Sequence, residues 1–219
     1  MVATCSNQVY CWDITYLNSS IKGQYFYLYC YLDIFDKYIT GWQVFNEESA
    51  NNASLLIRDI CEKEKIERDQ LILHSDNGSP MKGQTMKSML ESLGVASSHS
   101  RPRVSNDNAM SESLFKTMKY CPRLPLKPFN SIEEAREWVH RFVQWYNHEH
   151  LHSSNNFITP ADKRAGKDIN KLRKRQRLME LKKEKHPERW VKGHIRDWSP
   201  VTKVTLNESP KEGEKRNIA

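Results

Sequence analysis

Gln24-Tyr25-Phe26-Tyr27-Leu28-Tyr29-Cys30-Tyr31-Leu32 is an almost unbroken run of aromatic and aliphatic side chains. A strand with one wet face alternates apolar and polar residues; this one does not, so it reads as a strand buried on both faces. Upstream, residues 8–17 mix apolar and polar side chains in a strand-like way. Asn18-Ser19-Ser20 and Lys22-Gly23 between the two runs carry turn chemistry, which makes the pair a hairpin. Residues 38–45 offer a third strand after a turn over 33–37.

Beyond this hairpin the period changes. Ala53, Leu56, Ile57, Ile60 and Cys61 fall at helical spacing, and Leu71-Ile72-Leu73 is a short strand. Met86, Met89, Leu90 and Leu93 predict a helix stopped by Gly94, with Val95-Ala96 as another short strand ahead of the irregular Ser100-Arg101-Pro102-Arg103. Asn106 or Asp107 is the expected cap of the next helix. Ser131 with Glu134 makes a capping box for a helix whose stripe is Ala135, Trp138, Val139, Phe142, Val143 and Tyr146. Three strands in succession, then helices interleaved with short strands, describe an α/β layer fold with a mixed sheet.

The chain has 219 residues and a formal net charge of +7, unevenly placed. Residues 1–166 hold 18 Lys+Arg against 19 Asp+Glu, whereas 167–219 hold 16 against 8. The division expected from this shift is a globular unit over 1–166 and a basic extension over 167–219, partly helical and disordered at its end around 210–216. The helix-permissive run Lys171-Leu172-Arg173-Lys174-Arg175-Gln176-Arg177 reads either as a solvated extension or as a sequence-independent DNA clamp. No apolar stretch reaches the length of a membrane helix and the N-terminus lacks signal-peptide features, so an intracellular protein without membrane contact is expected. Five cysteines without a C-x-x-C pair point to reduced, structural thiols.

Three carboxylates carry the chemical interest. Asp13 lies in the otherwise apolar Tyr10-Cys11-Trp12-Asp13-Ile14, Asp76 follows a strand in His74-Ser75-Asp76-Asn77-Gly78, and Glu112 sits in the helix beginning near Asn108. Each has an ordinary explanation: an exposed strand face, a turn, a solvated helix surface. A carboxylate removed from water needs a positive partner, and a metal ion is one such partner.

Taken together the motifs are specific. The order Asp, then Asp in an S-D-N-G turn, then Glu 36 positions later resembles the DDE catalytic core of retroviral integrases and related transposases. Gln8-Val9-Tyr10-Cys11-Trp12-Asp13-Ile14-Thr15-Tyr16-Leu17, Ser100-Arg101-Pro102-Arg103-Val104-Ser105-Asn106-Asp107-Asn108-Ala109, Ser111-Glu112-Ser113-Leu114-Phe115-Lys116-Thr117-Met118-Lys119-Tyr120 and Tyr146-Asn147-His148-Glu149-His150-Leu151-His152-Ser153 resemble bacterial insertion-sequence transposases with an integrase-type core. The similarity runs from about Asn7 to Pro160 and more loosely through Trp190 to Asn207.

That resemblance implies a ribonuclease-H-like mixed five-stranded sheet flanked by helices, with Asp13, Asp76 and Glu112 converging as catalytic, metal-binding residues. It implies two Mg²⁺ or Mn²⁺ ions, cleavage at the ends of a DNA element, and strand transfer by a freed DNA 3′-hydroxyl. DNA contacts are expected at Lys116 and Lys119, which share a helix face with Glu112, and at Asn77, Arg101 and Arg103; Ser79 lies in the same loop region. His74 is either close to the metals or a structural hydrogen-bonding residue. Homo-oligomerisation and a cytoplasmic, nucleoid-associated location in a bacterium follow from the same resemblance.

Two departures bear on this. Relatives place an Arg at one of the two positions before the residue matching His152, where this chain has His150-Leu151. Relatives usually carry a helix-turn-helix region ahead of the core, whereas here the first core strand begins within ten residues of Met1; terminal-repeat recognition is therefore expected to be missing from this chain, through truncation, a separate N-terminal DNA-binding transposase protein acting in trans, or decay of the element. His148, His150 and His152 at alternate positions of a helix end are not expected to bring three imidazoles together. Rival readings are a catalytically silent remnant that regulates by binding DNA or full-length transposase, and a simple ribonuclease-H-like nuclease.

Overall fold

A computed structural model describes residues 1–101, 105–121, 127–191 and 193–207. Arg103 and the segment 210–216 lie outside them. In chain order the elements are β1 (Val2–Ala3), β2 (Val9–Asn18), β3 (Tyr25–Asp33), β4 (Ile39–Phe45), α1 (Ala50–Glu64), β5 (Ile72–Ser75), α2 (Ser79–Lys82), α3 (Gln84–Leu93), β6 (Ala96–His99), α4 (Ala109–Lys119), α5 (Ile132–His148), α6 (Pro160–Arg164), α7 (Asp168–Lys185) and β7 (Val204–Thr205). Five strands form one mixed sheet in the order β4-β3-β2-β5-β6. β2, β3 and β4 are an antiparallel meander, and β5 and β6 continue the sheet in parallel.

Helices on both faces explain the unbroken hydrophobicity of β3. Tyr10, Trp12, Tyr29 and Tyr31 pack against Ile57 and Ile60 of α1 and Met86 and Leu90 of α3. The alternate residues Val9, Cys11, Leu28, Cys30 and Leu32 meet Leu114, Phe115 and Met118 of α4 and Trp138, Phe142 and Tyr146 of α5. Trp12 stacks on Tyr31 with ring centroids 5.1 Å apart, and every residue of β3 from Leu28 to Asp33 is buried. Burying each such ring or aliphatic side chain contributes about 1.5–3 kcal/mol.

Local chemistry agrees with the periodicities. Ser131 Oγ accepts the Glu134 N–H at 3.1 Å, while the Glu134 carboxylate takes the N–H of Asn130 at 2.8 Å, one residue before the position a capping box predicts. Gly94 ends α3 with φ +68°, a conformation that disfavours a side chain. Gly41 of β4 is required by close approach, since a Cβ there would lie 2.2 Å from Ile60 Cδ1 of α1. β6 is Ala96–His99, so the expected Val95-Ala96 strand starts one residue later and runs three further.

The 33–37 turn is no solvated loop. Asp33 and Asp36 are fully buried, and the Arg164 guanidinium from α6 meets their carboxylates at 3.2 and 2.8 Å. The same guanidinium reaches Glu64 at the end of α1 and the Asn7 side chain, and lies over the Tyr38 ring. Next to it Lys163 Nζ donates to the Phe35 carbonyl at 2.6 Å. Burial, and then the neighbouring Asp36, push the Asp33 carboxyl upward, against the pull of the Asn7 and Phe35 N–H groups and Arg164.

The basic extension folds back on the core. Lys167 precedes α7, whose Leu172 is buried, and Arg175 donates to the carbonyls of Asn156 and Phe157 at 2.7 and 2.9 Å. Further on, β7 pairs with β1, the Met1 amine donates to the Leu206 carbonyl, and Leu206 joins the core on the α4–α5 side. Among the described residues no helix is long and apolar enough to cross a membrane.

Removing one member of a buried ionic cluster strands the others without compensation. Arg164→Met should therefore destabilise the fold by about 3–5 kcal/mol in urea unfolding, and adding Asp33→Asn and Asp36→Asn should recover part of the loss. A loss below about 1 kcal/mol would show that water reaches the cluster.

Candidate active site

The parallel pairing of β2 with β5 is the starting point. Cys11 stands opposite His74 in that ladder, and Asp13 and Asp76 each lie two residues further along. Neighbouring strands are roughly 4.8 Å apart, so the two carboxylates come side by side where β5 ends beside the middle of β2. Cys11 and Asp13 point to the face that α4 covers through Leu114, Phe115 and Met118. Glu112, in the exposed first turn of α4, is thereby carried to the same rim.

The electrostatics record this convergence. Burial raises the Asp13 carboxyl to about 7, and the negative charges of Asp76, Glu112 and Glu48 add to the rise against the Ile14 N–H. Ile14 N–H donates to Asp13 Oδ1 at 2.8 Å and Asn108 Nδ2 to its Oδ2 at 3.2 Å. Asp76 Oδ1 accepts the Gly78 N–H at 2.9 Å, closing the S-D-N-G turn. A buried carboxylate with further carboxylates beside it fits a divalent cation, which takes hard oxygen donors and offsets both the burial and the repulsion. Among the described residues no three His, Cys, Asp or Glu side chains are close enough to enclose one ion.

His74 is fully buried, with Nε2 donating to the Asp107 carbonyl at 3.0 Å and Nδ1 facing Ser98 Oγ at 3.1 Å. A carbonyl only accepts, so Nε2 carries the proton and Nδ1 accepts from Ser98. This is the structural role left open by the sequence. Arg101 donates through its backbone N–H, Nε and Nη2 to the Asp107 carboxylate at 2.7, 3.0 and 2.8 Å, holding that carboxyl down to about 2. Asp107 is thus committed to Arg101 and does not cap α4. Asn77 is exposed and donates to the Ser100 carbonyl at 2.7 Å.

Lys116 and Lys119 are exposed on the same side of α4 as Glu112, opposite the buried Leu114 and Met118. Of the three histidines only His148 lies in α5, which ends there, and the fold brings the other two together. His148 sits against Tyr38, while His150 and His152 lie 5.7 Å apart beside Tyr146. Glu48 and Asn108 have no sequence signal as site residues. Glu48 lies 35 positions from Asp13, and an Asn at a helix start reads as a cap.

Two sequence models described as integrase core domain match this chain, one over residues 3–105 and the other over 93–160. The transposase of insertion sequence element IS904 from Lactococcus lactis is 32% identical over 165 residues, covering 73% of this chain and 62% of that protein. The chain spans about 60% of the length of the curated relatives it matches. Among solved structures, the catalytic core domain of BIV integrase superposes with a TM-score of 0.51 at 16% identity, over 75% of this chain and 98% of that one. The HTLV-2 integrase catalytic core domain in complex with magnesium gives 0.51 at 14%, over 72% and 96%. The mixed sheet with its flanking helices is accordingly the ribonuclease-H-like fold of integrase catalytic cores. With family matches running from residue 3 to residue 160 and an insertion-sequence transposase among its relatives, the chain belongs to the integrase core family.

Proposed function

We propose that this chain is the catalytic core of a DDE transposase, cutting DNA at the ends of a mobile element and joining the freed 3′-hydroxyl to target DNA. The observation that carries the reading is the convergence of Asp13, Asp76 and Glu112 on one rim, with Asp13 raised to about 7 by burial and by its carboxylate neighbours. In this reading Asp13, Asp76 and Glu112 would hold two Mg²⁺ or Mn²⁺ ions, whose chemistry there would be activation of the attacking oxygen and charge offset on the leaving one. Asp13 and Asp76 supply ligands fixed by strand pairing, and Glu112 supplies one from the helix across the rim. No side chain acts as a covalent nucleophile; the protein's work is positioning and charge neutralisation.

Lys116 and Lys119 grip phosphates beside the carboxylates, with Asn77 contributing from the turn after Asp76. The basic face of α7 meets DNA without regard to sequence. The active form is a homo-oligomer on DNA in the bacterial nucleoid. Recognition of the element's ends falls to a helix-turn-helix region outside the residues described, on a separate protein or elsewhere in the same one.

Asp13→Asn, Asp76→Asn and Glu112→Gln should each abolish Mn²⁺-dependent cleavage and strand transfer on element-end DNA while circular dichroism stays native. Retained activity in any of the three sinks the assignment, and a wild-type protein that binds DNA without cutting it favours a regulatory remnant.

Proton and cation compete for Asp13, so Mg²⁺ affinity measured by calorimetry should fall as pH drops through about 7. In metal-free protein the sign is reversed for stability. A raised carboxyl contributes stability below its unfolded pKa of about 4, and that contribution is lost as pH rises toward 7. Asp13→Asn should flatten that stability slope, and an unchanged slope would remove Asp13 from the cluster.

Replacing Lys116 and Lys119 together by alanine should weaken DNA binding and reduce the slope of log K against log salt by about 2, since each lysine that neutralises a phosphate adds about 1 to it. An unaltered slope places the DNA elsewhere.

A further inference from the structure

Asn108 occupies the N-cap position of α4, where an Asn ordinarily turns back to accept a backbone N–H of the first turn. It makes no such bond. Its Nδ2 donates instead to Asp13 Oδ2, and its own Oδ1 is buried without a protein donor. With Asp13 ionised, this orientation is the favourable one, since the amide oxygen in that place would face a carboxylate oxygen.

The residue before it is held unusually firmly. The Asp107 carbonyl accepts His74 Nε2–H at 3.0 Å from β5 and Asn207 Nδ2–H at 3.1 Å from the C-terminal segment. The Asp107 carboxylate accepts three N–H groups of Arg101. The short turn carrying Asn108 is therefore fixed from β5, from the loop after β6 and from the residues after β7.

We propose that Asn108 is a positioning residue for Asp13, and that Asp107, clamped by His74 and Arg101, holds Asn108 in place. This inference rests on the metal-dependent reading given above. Each Asp13 oxygen takes one N–H, Oδ1 from Ile14 and Oδ2 from Asn108, which leaves a lone pair on each for a cation. A carboxylate held from both oxygens binds without first losing rotational freedom, which is how groups behind a metal ligand tune affinity. Arg101 becomes part of the protein's own scaffold in this assignment, in place of the DNA contact its sequence context implies. Asn207 makes the far end of the basic extension a member of the same scaffold.

The test uses the full chain without DNA. Mn²⁺ binding is followed by the electron paramagnetic resonance of the free ion, and folding by the melting temperature. Asn108→Leu keeps the size and removes the donor, and should weaken Mn²⁺ binding about ten-fold or more with little change in melting. Arg101→Leu alters a largely exposed side chain, which guards against loss of the fold, and should weaken Mn²⁺ binding in the same direction by a smaller factor. Unchanged Mn²⁺ affinity in both variants overturns the proposal. Unchanged affinity in Arg101→Leu together with a flattened salt dependence of DNA binding returns Arg101 to DNA and overturns its place in the clamp. Asp13→Asn separates the two levels. If it leaves wild-type Mn²⁺ binding intact, the metal reading itself fails and the clamp with it; if it abolishes binding that Asn108→Leu leaves intact, the clamp alone fails.

Discussion

The parallel register between β2 and β5 is the constraint on which the site depends. Parallel strands cannot be joined by a tight turn, so β4, α1 and the 65–71 connection must intervene before β5 can lie beside β2. The helix capped by Ser49 and closed at Lys65 is the physical bridge that makes the register possible. Once Cys11 faces His74, two carboxylates 63 positions apart in sequence become neighbours, and their repulsion follows without any further device. A one-residue slip would send Asp13 or Asp76 to the opposite face of the sheet.

Polar groups in the interior are handled in two ways. Around the 33–37 turn, Asp33, Asp36 and Glu64 gather on the one Arg164 guanidinium, so that region is held by contacts within the chain. Asn147 of α5 belongs to the same logic. Its Oδ1 accepts the Ile39 N–H and its Nδ2 donates to the Ile39 carbonyl, where the β3–β4 register shifts and the ladder would otherwise be interrupted. At the rim, burial is the main influence on Asp13, with Asp76, Glu112 and Glu48 adding to it.

The net charge of +7 likewise resolves into parts. The nearly neutral core places Lys116 and Lys119 beside Glu112. The basic extension carries most of the excess, yet its end returns to the core, where Leu206 is buried and Asn207 reaches Asp107. The compositional boundary at Lys167 marks a change of charge, and the packing continues across it.

Much of the fold is legible in the sequence because its signals are local. An apolar run such as 24–32, the stripe from Ala135 to Tyr146 and the stop at Gly94 express backbone and burial preferences within one element. The three carboxylates could be singled out one by one, and only their resemblance to a family pattern joined them, because strand pairing and helix docking act between distant segments. Arg101 shows the limit in the other direction: its basic loop carries no sign of the Asp107 carboxylate that it meets in the fold. The sequence by itself determined the elements, their order and the residues worth watching, since those depend on near neighbours along the chain. Only the tertiary structure decided that Asp13 stands beside Asp76, that Asn108 turns from its helix to Asp13, and that Arg164 bridges Asp33, Asp36 and Glu64, since each depends on which distant groups share a low-dielectric interior.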